Sequence, residues 1–478
     1  MLTTLRTWWQ DKLLRGVLKN TSYLFSSNTL SAALSMVSSI FATRLLGLNG
    51  FGLVATIQTF ASNTNRFLSF RMSEVVVKYL GQALAGDVGV TSNATRASTE
   101  SIATTKTNPH VAAIVKGVGL IEAATSILAY LVLVLVAPWA ARLLAKDSSV
   151  AALFPFYGLM LLANLVYETS TGVLQAHKRF DRLALINAIQ SIIVVILVLV
   201  AFFLKRSIFE VLGAYLVGKA VAGITISILA FNQMNQSQGK GWWRTSLRQV
   251  RDWREIIGFA INTNLNGTVN LLTRDNILLY LAALSPANLT QTYAGYFKWG
   301  LSIINFVTLP IDPFIWPTYA EITRTIAQRQ WQLTRTLLKR VSTISATWTL
   351  SAGVAIAAFG WWLIPVVLGS SSAPVYPLAL VLLLGYGTAN ILNWNRPLLL
   401  AFGKPSYPLL VAIIVGAVEI LLTLWLVPIG GYLAMAAVLS GYLMVSVSII
   451  AWRGWREIMD RDSMDRNIVS PASKDFPV

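Results

Sequence analysis

Asn262, Asn266, Asn270 and Arg274 recur every four residues inside one long apolar stretch, with Asp275 directly after the last. That spacing keeps side chains on one slowly drifting helix face. Amides and a guanidinium cannot point into lipid without unmet hydrogen bonds. The face must therefore meet either a polar cavity or a neighbouring helix, since Asn commonly bridges membrane helices. A guanidinium can donate two parallel bonds to phosphate oxygens. The chemistry on offer is recognition of an anion such as a diphosphate, without bond breaking.

The next apolar stretch repeats the theme, with Lys298, Ser302, Asn305 and Asp312 near heptad spacing. Lys298 is a second cation for the same anion. Asp312 lies about 21 Å further along the helix at 1.5 Å per residue, so the two do not pair within it. Asp312 is either a carrier of a coupling proton or sodium ion or the partner of a base on another helix. Pro310, Pro313 and Pro317 remove backbone donors here and predict a bent or broken helix.

Nine of the thirty-eight Lys and Arg lie within such stretches: Arg44, Arg66, Arg71, Lys78, Lys116, Lys219, Arg274, Lys298 and Arg396. A cation at mid-membrane costs about 2.5–3.5 kcal/mol on insertion scales, so it persists where it faces protein, water or an anion. Arg66, with Asn63 one turn before it, is assigned to the cavity. Arg71, Glu74 and Lys78 share a face and either neutralise one another or offer Glu74 for ion coupling. Asn28, Ser31, Ser35 and Ser38 form a milder stripe in the first span. Arg44, Lys116 and Arg396 lie near span ends, where long side chains reach back to the interface. Tyr293, Tyr296 and Trp299 could stack on sugar rings or form an interfacial aromatic belt, the assignment given to Trp361 and Trp362. Glu122, Glu168 and Glu419 have no distinguishing local context.

These residues need a membrane scaffold. The chain has 478 residues, 55% hydrophobic and 12% charged, with mean hydropathy +0.61. Soluble domains carry about 25% charged residues. No cleavable signal peptide is expected, and zero Cys excludes disulfides and thiol chemistry. Two distant histidines, His110 and His177, make no metal site, and no cofactor is expected.

Twelve spans are expected, at 21–46, 51–80, 112–137, 150–176, 183–204, 208–232, 256–283, 289–318, 342–368, 376–402, 405–427 and 431–452. Each can cross the hydrocarbon core. Alternate loops then hold twenty-five Lys and Arg on one side against four on the other. Basic residues favour the cytoplasm, so both termini are expected there. The net charge of +18 thus reads as an inside-facing collar for anionic membrane lipid, and no nucleic-acid partner is expected.

The chain is written twice. Trp8-Trp9 precede Asn28-Thr29 by twenty residues, as Trp242-Trp243 precede Asn262-Thr263. Leu174, Ala176 and Leu185 fall on Leu399, Ala401 and Leu410 at a constant offset of 225. The expected fold is an all-α polytopic membrane protein of about twelve transmembrane helices, in two six-helix lobes related by a pseudo-twofold axis. The divisions are an amphipathic segment (1–20), a first lobe (21–232), an amphipathic linker (233–255), a second lobe (256–452) and a disordered tail (453–478).

Two segments and a span end carry a resemblance. Arg44-Leu-Leu-Gly-Leu-Asn-Gly-Phe-Gly52 and the second span from Phe67 to Gly81 resemble the oligosaccharide-flippase (Wzx-like) branch of the MATE/MOP transporter superfamily. Pro317-Thr-Tyr-Ala320 resembles the Pro-x-x-Ala that closes the equivalent eighth span. The loop after span two, Gly81 to Val90, does not match the basic motif of the major facilitator type, and no P-loop is present. The resemblance implies a non-enzymatic flippase for polyprenyl-diphosphate-linked oligosaccharides (O-antigen, capsule or exopolysaccharide units) across the bacterial inner membrane. The substrate is of undecaprenyl diphosphate type, and polysaccharide polymerase and glycosyltransferases are the expected partners. On this reading Arg66, Asn262, Asn266, Asn270, Arg274, Lys298 and Asn305 bind substrate, and Asp275, Asp312 or Glu74 couples an ion. The alternatives are a multidrug or metabolite antiporter of the same superfamily and a membrane scaffold in envelope-glycan synthesis. A cationic drug would want carboxylates where this chain places cations.

Overall fold

The computed structural model describes residues 12–68, 72–80, 109–250 and 253–469, without the side chains of 12–25, 262, 263, 265, 266, 316, 320 and 466–469. Arg71 and the first Trp pair lie outside this set, as do the loop after span two and residues 470–478. Among the described residues every regular element is helical.

Helix α1 (Lys12–Leu68) is divided at Gly47, whose φ of 70° and ψ of 175° are non-helical. Only glycine takes such a φ at little cost. The apolar run Ser26–Leu68 would be about 65 Å long if straight, twice the roughly 30 Å hydrocarbon core. Its length thus supplies two passes. Then follow α2 (72–80), α3 (Pro109–Ala140), α4 (Leu153–Ala163), α5 (Tyr167–Ala176), α6 (Phe180–Phe203) and α7 (Ile208–Gln238). Beyond the linker come α8 (Trp253–Asn270), a π-helical turn (Leu271–Asp275), α9 (Ile277–Leu284), α10 (Thr290–Thr308), α11 (Ile315–Ala327), α12 (Trp331–Leu368), α13 (Val375–Ile391), α14 (Asn395–Ala401) and α15 (Ser406–Val469). Gly431, at φ 57° and ψ −139°, divides α15 as Gly47 divides α1.

Eight helical runs among the described residues are long and apolar enough to cross a membrane. Two of them are the glycine-divided runs, each covering two expected spans. Spans seven and eight are interrupted and fall outside the eight. Leu135 and Ile429, both 79% exposed, and Trp361 at 62% lie on uncovered apolar faces, the surface that lipid solvates in a multi-pass membrane protein.

The chain gathers into two compact units, Met1–Leu271 and Leu272–Val478. The division falls inside the seventh span, past the expected linker. The reason is local: Ile256 and Ala260 of α8, with Trp253 and Phe259, pack into the first unit's core of Met72, Val76, Val115 and Ile226. Expected linker residues also belong to that unit. Helix α7 runs on to Gln238, and two short 3-10 turns follow, Trp242–Arg244 and Leu247–Gln249. Lys116 Nζ donates to the Thr245 carbonyl at 3.0 Å, and the Trp242 ring packs on Phe231.

The tail expected to be disordered from 453 is helical to Val469. Its acids explain this. Asp462 pairs with Arg335. Asp465 meets Arg329 at 3.3 Å and accepts from Trp331 Nε1 at 2.8 Å. Glu457 takes Lys404 at 2.7 Å and Arg453 and Arg461 at 3.2 Å. Ile458 is fully buried beside Leu338 and Leu398. Long-range pairing thus overrides a composition that looks disordered by itself.

Candidate functional site

The π-turn Leu271–Asp275 interrupts span seven where the expected stripe should run on into Arg274. A π-helix bonds i to i+5 and widens the turn, so Arg274 leaves the four-residue register of Asn262, Asn266 and Asn270. Asn270 is half-buried on α8, and the side chains of Asn262 and Asn266 lie outside the described residues.

Arg274 is half exposed, and its Nε donates to Asp275 Oδ1 at 3.2 Å. Among the described residues no protein acceptor meets its two terminal amino groups, the ends that form the fork toward a phosphate. Asp312, Tyr386 and Tyr442 lie within reach of its charge. Tyr442 Oη donates to Thr273 Oγ1 at 3.3 Å, which ties α15 to the π-turn. Asp312 is exposed at the start of a short 3-10 turn, Asp312–Phe314, that separates α10 from α11. This is the break that the three prolines predict. Asp312 makes no ion pair among the described residues, although it lies within reach of the charge of Arg274.

Lys298 is half-buried on α10, and its ammonium makes no hydrogen bond or ion pair among the described residues. No charged side chain among them joins it to Arg274. Asn305, one face further along α10, is exposed. Trp299 is 1% exposed, so sugar stacking is closed to it. Tyr293 and Tyr296 pack on Tyr432 with ring centroids 5.0 and 5.3 Å apart.

In the first unit Arg66 and Lys219 are both exposed and near enough to repel each other. Glu74 is exposed on α2. Lys78 pairs with Glu255 at 3.8 Å, lying 4.7 Å from the Tyr79 ring centre and 4.2 Å from that of Phe259. The serine stripe of span one divides its work: Ser31 Oγ donates to the Asn187 carbonyl at 3.3 Å, whereas Ser35 stays exposed.

Three carboxylates without sequence context acquire one. Glu122, 2% exposed, accepts the backbone N–H groups of Glu168 and Thr169 at 2.8 Å each, closing the start of α5. Glu168 Oε2 accepts from Ser73 Oγ at 2.5 Å. Glu419 is 4% exposed, and neither oxygen has a hydrogen-bond partner among the described residues. Sequence reasoning passed it over, although a lone acid in an apolar run is itself a signal.

A family model described as "Polysaccharide biosynthesis protein" matches residues 17–323. The inner membrane protein YghQ of Escherichia coli K12 is 24% identical over 188 residues, or 38% of this chain. The match spans less than half, 46%, of that relative's length. A multidrug resistance MATE family transporter of the MOP superfamily, solved in an inward-facing conformation, gives a TM-score of 0.66 at 12% identity, over 91% of this chain and 96% of that one. A point mutant of the Vibrio cholerae MATE transporter VcmN gives 0.59 at 14% identity, over 93% and 97%. A MOP superfamily transporter from Pyrococcus furiosus, described by its reversed binding-pocket polarity, gives 0.57 at 12% identity, over 93% and 96%. These likenesses establish the fold, and the matched model establishes the family. The chain belongs to the polysaccharide biosynthesis protein family and is a multi-pass membrane protein with the fold of MATE/MOP transporters.

Proposed function

We propose that this transporter is a flippase that carries a polyprenyl-diphosphate-linked oligosaccharide across the bacterial inner membrane by alternating access, with both termini cytoplasmic. The observation that carries the reading is the open guanidinium of Arg274: its Nε is held by Asp275 while both amino ends lack a protein acceptor among the described residues. A fork left open in this way suits two phosphate oxygens. Lys298 and the Arg66–Lys219 pair add cations inside apolar helices, where an anion offsets their cost. Asn270 and Asn305 offer further amides, and the sequence pattern adds Asn262 and Asn266 as candidates. The family points to an envelope glycan as cargo, with polymerase and glycosyltransferases as working partners. The lipid tail stays in the bilayer, and no bond in the cargo changes.

The test is reconstitution in liposomes with a labelled undecaprenyl-diphosphate oligosaccharide, following its arrival in the opposite leaflet. Movement that depends on Arg274 supports the reading. Movement of a cationic drug instead, unaffected by Arg274→Ala, would favour the multidrug antiporter.

A further inference from the structure

Glu419 lies on the first leg of α15, deep in the second unit. It is 4% exposed, its two oxygens accept no hydrogen bond, and it forms no ion pair among the described residues. Three phenols lie within reach of its charge: Tyr280 of α9, Tyr386 of α13 and Tyr442 of the second leg of α15. Tyr386 and Tyr442 stand in the field of Arg274 as well. The same two phenols are thus within reach of both a carboxyl without a hydrogen-bond partner and a guanidinium with open ends. Gly416, one turn before Glu419, holds this arrangement tight, because a Cβ there would collide with Thr273.

An ionised carboxylate that is buried with no hydrogen bond to either oxygen is costly. What it lacks is a positive charge. A metal ion stripped of water asks for about six oxygen ligands, whereas this pocket offers one carboxyl and neutral phenols. A proton needs one oxygen. We propose that Glu419 is the residue that takes up and releases a proton during transport, and that its state is felt at Arg274 through Tyr386 and Tyr442. The idea rests on Arg274 as the head-group residue. With the proton on, Glu419 is neutral and Arg274 keeps its full pull on an anion. With the proton off, the carboxylate competes for that pull. Proton and anion therefore favour each other's binding, and by reciprocity an arriving anion draws in a proton.

Inorganic pyrophosphate serves as the probe, titrated calorimetrically into the purified full-length protein in two buffers of different ionisation enthalpy. The difference between buffers counts protons taken up per anion bound. Pyrophosphate's own ionisation contributes equally to wild type and variant, so their difference isolates Glu419. Wild type should take up more protons than Glu419→Gln, by up to one per anion, while the variant still binds. Equal uptake overturns the proposal. Stimulation by sodium over potassium that Glu419→Gln removes also overturns it, in favour of a metal cation. Where Glu419→Gln fails to fold, Glu419→Asp keeps an acid and must shift the pH profile of uptake, and an unchanged profile overturns the proposal. Arg274→Ala separates the two readings. Binding that survives Arg274→Ala removes the head-group assignment, whereas binding lost there with equal uptake in wild type and Glu419→Gln removes the proton site alone.

Discussion

Arg274 and Asp275 are adjacent in sequence and also meet through their side chains, Nε to Oδ1 at 3.2 Å. The contact uses the inner nitrogen and leaves the outer two without a protein acceptor among the described residues. Hydrogen bonds to charged groups contribute about 1.5–3 kcal/mol, or roughly ten- to a hundredfold in rate or affinity. On the proposed flippase role, Arg274→Ala should slow flipping by at least about tenfold, with expression and detergent melting near wild type. Arg274→Lys should recover part of the rate, since an ammonium cannot form the fork. Normal flipping by Arg274→Ala would sink the assignment.

A second prediction concerns the buried join between α12 and α13. Asn390 Nδ2 donates to Thr349 Oγ1 at 2.9 Å, and both residues are buried. Polar pairs between membrane helices are worth about 0.6 kcal/mol on average and up to about 1.7. A double-mutant cycle of Asn390→Ala and Thr349→Ala, read by unfolding in mixed micelles, should return a coupling in that range. Zero coupling would mean that the contact is geometric only.

Glu122 gives a sharper stability test. Its two oxygens take the backbone N–H groups of Glu168 and Thr169 in the first turn of α5. Glu122→Ala leaves those groups without this acceptor, at about 1–3 kcal/mol. The variant should melt lower and exchange its α5 amides faster, whereas Glu122→Gln keeps one acceptor and should fall in between. Unchanged exchange at Glu168 and Thr169 would contradict the cap.

The helix beyond residue 453 sets a pH dependence. Burial works against ionisation of Glu457, but hydrogen bonds from Lys404 and Arg461 outweigh it and hold the carboxyl below its ordinary value. A group lowered in the folded state contributes stability above its unfolded pKa, about 4.3, and loses it as pH falls through the folded value. The melting difference between wild type and Glu457→Gln should stay level from neutral pH down to about 4.3 and shrink below it. A difference that shrinks well above that pH would remove the ion-pair account.

Some of this was legible in the sequence because it follows from covalent chemistry. Three prolines within eight residues of span eight could only interrupt a helix, and Asp312–Phe314 is the interruption. Apolar length marked the membrane runs. The rest depended on partners far away in the chain. Lys78 pairs with Glu255 rather than with neighbours on its own face, and the tail is helical because Arg335 and Lys404 reach it. The stripe Asn262, Asn266, Asn270 and Arg274 assumed a regular helix, which the π-turn interrupts before its last member. Glu419 was visible as a lone acid, but its tyrosines come from three other segments.

The π-turn at Leu271–Asp275 amounts to one surplus residue, because its hydrogen-bonded ring spans i to i+5 where an α-helix spans i to i+4. Removing a single residue there would let the ring close to an α-helical turn and change where Arg274 falls within it. Arg274's aim is thus set by spacing in the reading frame as much as by residue type. A shortened span seven could keep every side chain of the site and still present its guanidinium to the wrong neighbour. Chain length at this point is a variable that substitution scans never sample.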